Sequence, residues 1–149
     1  MSLVDDPAPF LWAPRRSAWR WLLVTATAVA AVAHLPAIGP HLHEAPYMGE
    51  EFVVLTAACV LLAVAALVCD SGAVYALAAL TCGLAVVGYV ATRIIAFPML
   101  ADDVGNWFEP LGVVSVVAET VAVLAAAKGV GASRNCATSA LLRRPRATT

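Results

Sequence analysis

Four apolar stretches govern what this chain can become. They lie at about 19–38, 52–68, 74–95 and 111–127, and each approaches the roughly 20 helical residues needed to cross a hydrocarbon layer of ~30 Å. Inside such a layer no water is present to bond backbone N–H and C=O groups, so each stretch must satisfy its own as a helix. The chain is 62% hydrophobic and 13% charged, whereas soluble domains are about one-quarter charged. The expected fold class is therefore all-α: a polytopic membrane protein built as a four-transmembrane-helix bundle, with the lipid bilayer as its principal partner. A net charge of -1 offers no basic surface for nucleic acid.

The few charges are segregated, and basic residues near membrane ends set orientation. Arg15, Arg16 and Arg20 precede the first span, and Lys128, Arg134, Arg143, Arg144 and Arg146 follow the last. The two longer connections, at about 39–51 and 96–110, hold no Lys or Arg but carry Glu44, Glu50, Glu51, Asp102, Asp103 and Glu109. Both termini are expected in the cytoplasm and both acidic connections on the outer face of the cell membrane. Residues 1–18 read as a flexible cytoplasmic lead-in, 19–128 as the transmembrane domain, and 129–149 as a basic, disordered cytoplasmic tail that starts where Gly129 and Gly131 end the last helix.

The first span also has the parts of a secretory signal: arginines, an apolar run, and Ala31-Val32-Ala33. The apolar run continues through Leu35 and Ile38, which favours retention over cleavage after Ala33. Pro36, Gly39 and Pro40 are expected to break this helix, and Pro46 to begin the next. Cys59 and Cys82 fall mid-span, Cys69 at a helix end and Cys136 in the tail, so none is placed for an extracytoplasmic disulfide.

The stretch from Arg93 to Glu119 carries most of the unusual residue choices. Glu119 lies about 13 Å along a helix that begins at Pro110, near the bilayer midplane. A lipid-facing carboxylate there costs roughly 2.5–3.5 kcal/mol, so it should be paired, protonated or turned inward. Ser115 shares its face. Arg93 is the natural partner, reaching inward to Glu119 or outward to Asp102 and Asp103. His34, near the outer end of the first span, is close enough to reach Glu119, Tyr89 or a loop carbonyl. An intramembrane polar network of Arg93, Glu119, Ser115 and His34, locking the third span to the fourth, is the expectation. Between them, residues 99–109 are amphipathic and suit a short turn or helix on the outer surface, anchored by Trp107 and Phe108.

All three histidines fall in or beside the first outer connection. His41 and His43, with His34 and Glu44, form a candidate divalent-metal set of a chemistry suited to copper or zinc, with Glu50 and Glu51 nearby. Only His41-x-His43 is compact, so no cofactor is assigned. No Gly-rich phosphate loop, HExxH, CxxC or GxSxG is present, and neither Ser115 nor Thr92 has an evident adjacent base. Nothing proposes an enzyme.

Two patterns carry a resemblance. Arg93-x4-Pro98 followed by Asp102-Asp103-Val104-Gly105-Asn106-Trp107-Phe108-Glu109-Pro110-Leu111-Gly112, and His41-Leu42-x-Glu44-Ala45-Pro46-Tyr47-x-Gly49, resemble the outer connections of a group of uncharacterised four-helix integral membrane proteins of actinobacteria. The resemblance implies the same topology and brings no activity or catalytic residue. The expected role is a non-enzymatic accessory or ligand-sensing component of the cell envelope, with a membrane-protein partner or a second copy at the outer connections. The alternative is copper or zinc handling, or small-solute transport, by the His/carboxylate connection and the intramembrane Arg93 and Glu119.

Overall fold

The computed structural model describes residues 17–142, with side chains described as far as Val130. The lead-in before Ser17 and the tail after Leu142 lie outside the described residues. Four helices follow one another: α1 (Trp19–Glu44), α2 (Pro46–Val68), α3 (Gly72–Ile94) and α4 (Pro110–Leu142), with one 3-10 turn at Ala101–Asp103 between the last two. All four are long and apolar enough to cross a membrane, α4 through its part Pro110–Val130. The fold is an all-α four-helix bundle.

Each helix packs on its sequence neighbour, and α4 closes the ring against α1; packing between α2 and α3 is the sparsest of the four. The core is made of small side chains: Ala26, Ala66, Ala78, Ala122, Ala125 and Ala126 around Leu23, Leu62 and Tyr75, with Ala30, Ala31, Cys59 and Ala118 in a second cluster. Lipid chains are as apolar as leucine, so large aliphatic side chains gain little by turning inward. Small residues let backbones approach and gain dispersion and polar contacts instead. The large ones accordingly point out, as at Val54, Leu61, Leu84 and Val68, the last 83% exposed. Cys59 and Cys82 are buried free thiols, one on α2 and one on α3.

Three boundaries differ from expectation. Helix α1 does not stop at Pro36 but runs through Pro36 and Pro40 to Glu44. Each proline removes one N–H, but unravelling the segment would expose many more backbone groups in apolar surroundings, so continuing the helix is the cheaper state. The expected connection at about 39–51 thereby shrinks to Ala45, which leads directly into α2 with Pro46 in its first turn. At ~1.5 Å per residue, the 26 residues of α1 span ~39 Å, longer than a hydrocarbon layer of ~30 Å.

At the other end of the chain, α4 passes through Gly129 and Gly131 and stays helical to Leu142, where a disordered tail was expected. Gly129 is not a helix stop but a packing site: a Cβ there would lie 2.5 Å from Cε1 of Tyr75, whose ring occupies the space. Gly49 plays the same part at the junction of α1 and α2, where a Cβ would come within 2.6 Å of the backbone nitrogen of Leu42 as α2 turns back against α1.

The turn between α2 and α3 is pinned from both sides. The hydroxyl of Ser71 caps α3 by accepting from the Val74 N–H at 3.5 Å, and Asp70 accepts from the Ser17 N–H at 2.8 Å, tying the start of α1 to this turn.

Candidate functional site

Charged side chains in a bundle this apolar must find partners, and two of the expected alternatives form, His34 with Glu119 and Arg93 with Asp103, while the expected pairing of Arg93 with Glu119 does not. Glu119, 1% exposed, stands with Oε1 2.9 Å from Nε2 of His34, itself 4% exposed. The pair joins α4 to α1, not α4 to α3. Arg93 turns outward: its Nη1 lies 2.9 Å from Oδ1 of Asp103 and donates to the Asp103 carbonyl at 3.3 Å, while its guanidinium carbon sits 4.7 Å above the Tyr89 ring. The reason is depth. Arg93 occupies the last turn of α3, where the chain folds back at once, so an acid ten residues later is nearer than one buried two turns down α4. Ser115 does lie beside Glu119 on α4, but its hydroxyl donates to the Gly112 carbonyl at 3.0 Å.

The 95–109 connection is held over the helix ends by backbone contacts. Gly105, with φ of 80°, donates its N–H to the Arg93 carbonyl at 2.9 Å, a left-handed turn that glycine adopts without strain. The Tyr89 hydroxyl donates to the Trp107 carbonyl at 2.8 Å and the Tyr47 hydroxyl to the Pro98 carbonyl at 2.6 Å. Glu109 begins α4, its carboxylate accepting from the Leu111 N–H at 3.1 Å and from the Gly112 N–H. A negative charge at this helix end is also favoured by the helix dipole. Trp107 and Phe108 face outward, Phe108 being 88% exposed, and Asp102 is exposed.

Beneath this cover lies a cavity of about 490 Å³ in the half of the bundle capped by this connection, reached by all four helices. α1 contributes Ala33, His34, Ala37 and His41, α2 Tyr47, Glu51, Phe52 and Leu55, α3 Gly88, Tyr89, Thr92 and Arg93, and α4 Gly112, Ser115 and Glu119. Two features keep it open. Gly88 has nothing within 4 Å of where a Cβ would be, and α2 and α3 pack sparsely here. His41 is fixed on its rim: Nδ1 donates to the Ala37 carbonyl at 2.8 Å, and the edge of its ring meets Phe52 at 4.9 Å between centroids. Phe52 also touches His34, at 5.4 Å.

The candidate metal set does not assemble. His34 is committed to Glu119, His41 to a backbone carbonyl, and His43, Glu44 and Glu50 are exposed at the adjoining tips of α1 and α2. Helix continuation through Pro40 is what separates the histidines, since His43 then lies on the opposite side of α1 from His34 and His41. Among the described residues no three His, Cys, Asp or Glu side chains converge. Sequence reasoning missed Phe52, Gly88 and Tyr47 as parts of the site. Tyr89 could have been found as more than a partner for His34, since it lies one helical turn from Arg93 on the same face.

No protein-family model matches the chain, and comparison with curated proteins and with solved structures finds no similar one.

Proposed function

We propose that this is a multi-pass protein of the cytoplasmic membrane, both termini inside, that binds a small ligand presented on the outer side, as a non-enzymatic sensing component of the envelope. The observation carrying this reading is the cavity of about 490 Å³ with His34, Glu119, Arg93 and Ser115 on otherwise largely apolar walls. Ligand sites typically measure about 300–1,000 Å³ and combine apolar lining with a few placed polar groups. Orientation rests on the arginines before α1 and the Lys and Arg residues after Ala127, against acidic outer connections. A ligand in this cavity meets all four helices at once, and α4, 33 residues long, extends well past the hydrocarbon on the inner side. Occupancy outside is thereby linked to one rigid element inside.

The test is thermal stability of the protein in lipid nanodiscs against a panel of small amines, carboxylates, phenols and sugars, run beside Gly88→Phe, whose ring fills the cavity. At least one class should raise the melting temperature of the parent and not of Gly88→Phe. No effect from any class would overturn the reading.

A further inference from the structure

Arg93 has more donors than the bundle uses. A guanidinium carries five N–H donors in one plane. Both contacts to Asp103, with its carboxylate at 2.9 Å and its carbonyl at 3.3 Å, are made by Nη1. Nε is buried with no acceptor among the described residues, and Nη2 has none there either. These two nitrogens share one edge of the group, the edge that binds oxygen acceptors side-on. Arg93 is 8% exposed and lines the cavity, and its Nη2 stands 3.6 Å from where a Cβ of Gly112, another wall residue, would be. A buried donor without an acceptor is costly unless something supplies one.

The hydroxyls nearby do not compete for that role. Tyr47, Tyr89, Thr92 and Ser115 each give their one hydrogen to a backbone carbonyl. The guanidinium is thus the donor group that this part of the wall holds out to a ligand.

Charge decides what kind of acceptor fits. The positive charge of Arg93 is already matched by Asp103, and Glu51, Glu109 and Glu119 line the same cavity. Glu109 is close to the free edge: its Oε2 lies 2.6 Å from the same Cβ position of Gly112. An anion placed at Nη2 would meet these carboxylates in surroundings that screen poorly. A cation would bring further donors and face the guanidinium. An uncharged oxygen meets neither penalty, and Ala33, Ala37, Phe52 and Leu55 offer apolar wall for the remainder of the molecule.

Resting on the ligand-binding reading above, we propose that the ligand is an uncharged molecule with an apolar body and an oxygen acceptor, a carbonyl or a phenol. The oxygen accepts from the Nη2 and Nε edge of Arg93, and the body lies against Phe52 and Leu55.

The experiment is calorimetric titration of the nanodisc-embedded protein, with empty nanodiscs as blank, using three probes that share one phenylalkyl body. They are the ketone 4-phenylbutan-2-one, the anion 3-phenylpropanoate and the cation 3-phenylpropylammonium. The ketone should bind one per chain, and each charged probe at least tenfold more weakly. Arg93→Lys keeps a cation for Asp103 but removes the free edge, and should weaken the ketone about tenfold. Gly88→Phe should abolish its binding. Either charged probe binding as tightly as the ketone, or Arg93→Lys binding the ketone unchanged, would overturn the assignment. The ranking of the three probes on the parent chain holds that test open even where a variant fails to fold. Binding of a charged probe that Gly88→Phe abolishes would sink the assignment and leave the ligand-site reading standing. Failure of all three probes overturns the assignment too, while the wider panel separately decides whether the cavity is a ligand site.

Discussion

Nε2 of His34 and Oε1 of Glu119 stand 2.9 Å apart with both side chains sealed from the surface, and they bridge the first and last helices of the bundle. Removing one partner strands the other in a medium with no water to replace it. Interhelical hydrogen bonds in membranes average ~0.6 and reach ~1.7 kcal/mol, because the unfolded chain in lipid also finds partners. Glu119→Ala is therefore expected to destabilise by about 1–2 kcal/mol, His34→Ala by a similar amount, and Glu119→Gln by less. Melting in detergent reads this out, and equal midpoints for the parent, Glu119→Ala and Glu119→Gln would dissolve the idea that the pair holds the ring closed.

Two glycines should respond in opposite directions to a larger residue. At Gly49 a Cβ meets the Leu42 nitrogen at 2.6 Å and its Cα at 2.7 Å, both backbone atoms that cannot turn aside. Gly49→Ala should cost about 1–3 kcal/mol, the range for overpacking a filled contact. At Gly88 the space is open, and alanine is a better helix former by ~0.8–1 kcal/mol, so Gly88→Ala should leave stability unchanged or raise it. The two melting temperatures side by side decide it, and a tolerated Gly49→Ala would contradict the close crossing of α1 and α2.

Arg93 and Asp103 form a partly exposed pair, and such pairs contribute about 0.2–1 kcal/mol. Asp103→Asn should barely move the global transition. Its effect should be local, loosening the connection that Gly105, Tyr89 and Tyr47 otherwise pin. Limited proteolysis between Met99 and Trp107 should accelerate severalfold while the helices stay intact. Unchanged cleavage would show that the backbone contacts alone suffice.

Orientation can be read by labelling intact cells with a membrane-impermeant maleimide. A chain with its native cysteines changed to serine and carrying Asp102→Cys should label from outside. A chain retaining only Cys69, exposed at the opposite end of α2, should not. The reverse pattern would invert the assignment.

The helices were legible because apolar length alone dictates them in a medium that forbids bare backbone. Their ends were less so. Pro36, Pro40 and Gly129 are helix breakers in water, where a freed backbone group is solvated at once; here the helix persists and Gly129 serves as a seat for Tyr75. That Glu119 and His34 were significant followed from polarity, but that they partner each other depends on α4 lying against α1, a closure no local spacing encodes. Arg93 had three reachable acids, Glu119, Asp102 and Asp103, and only the path of the connection after Ile94 selects Asp103. The cavity itself was invisible in the sequence, since it arises from a side chain Gly88 lacks and from sparse packing between two helices.

The prolines of α1 have a mechanical consequence. Pro36 and Pro40 leave the Val32 and Pro36 carbonyls without their helical donors, two missing rungs just above His34. Below them α1 is clamped through Glu119; above them it carries His41 and the rim of the cavity. The part of α1 that carries His41 is thus tied to its base by two fewer rungs than the rest of the helix, and it is the part least constrained by the Glu119 contact.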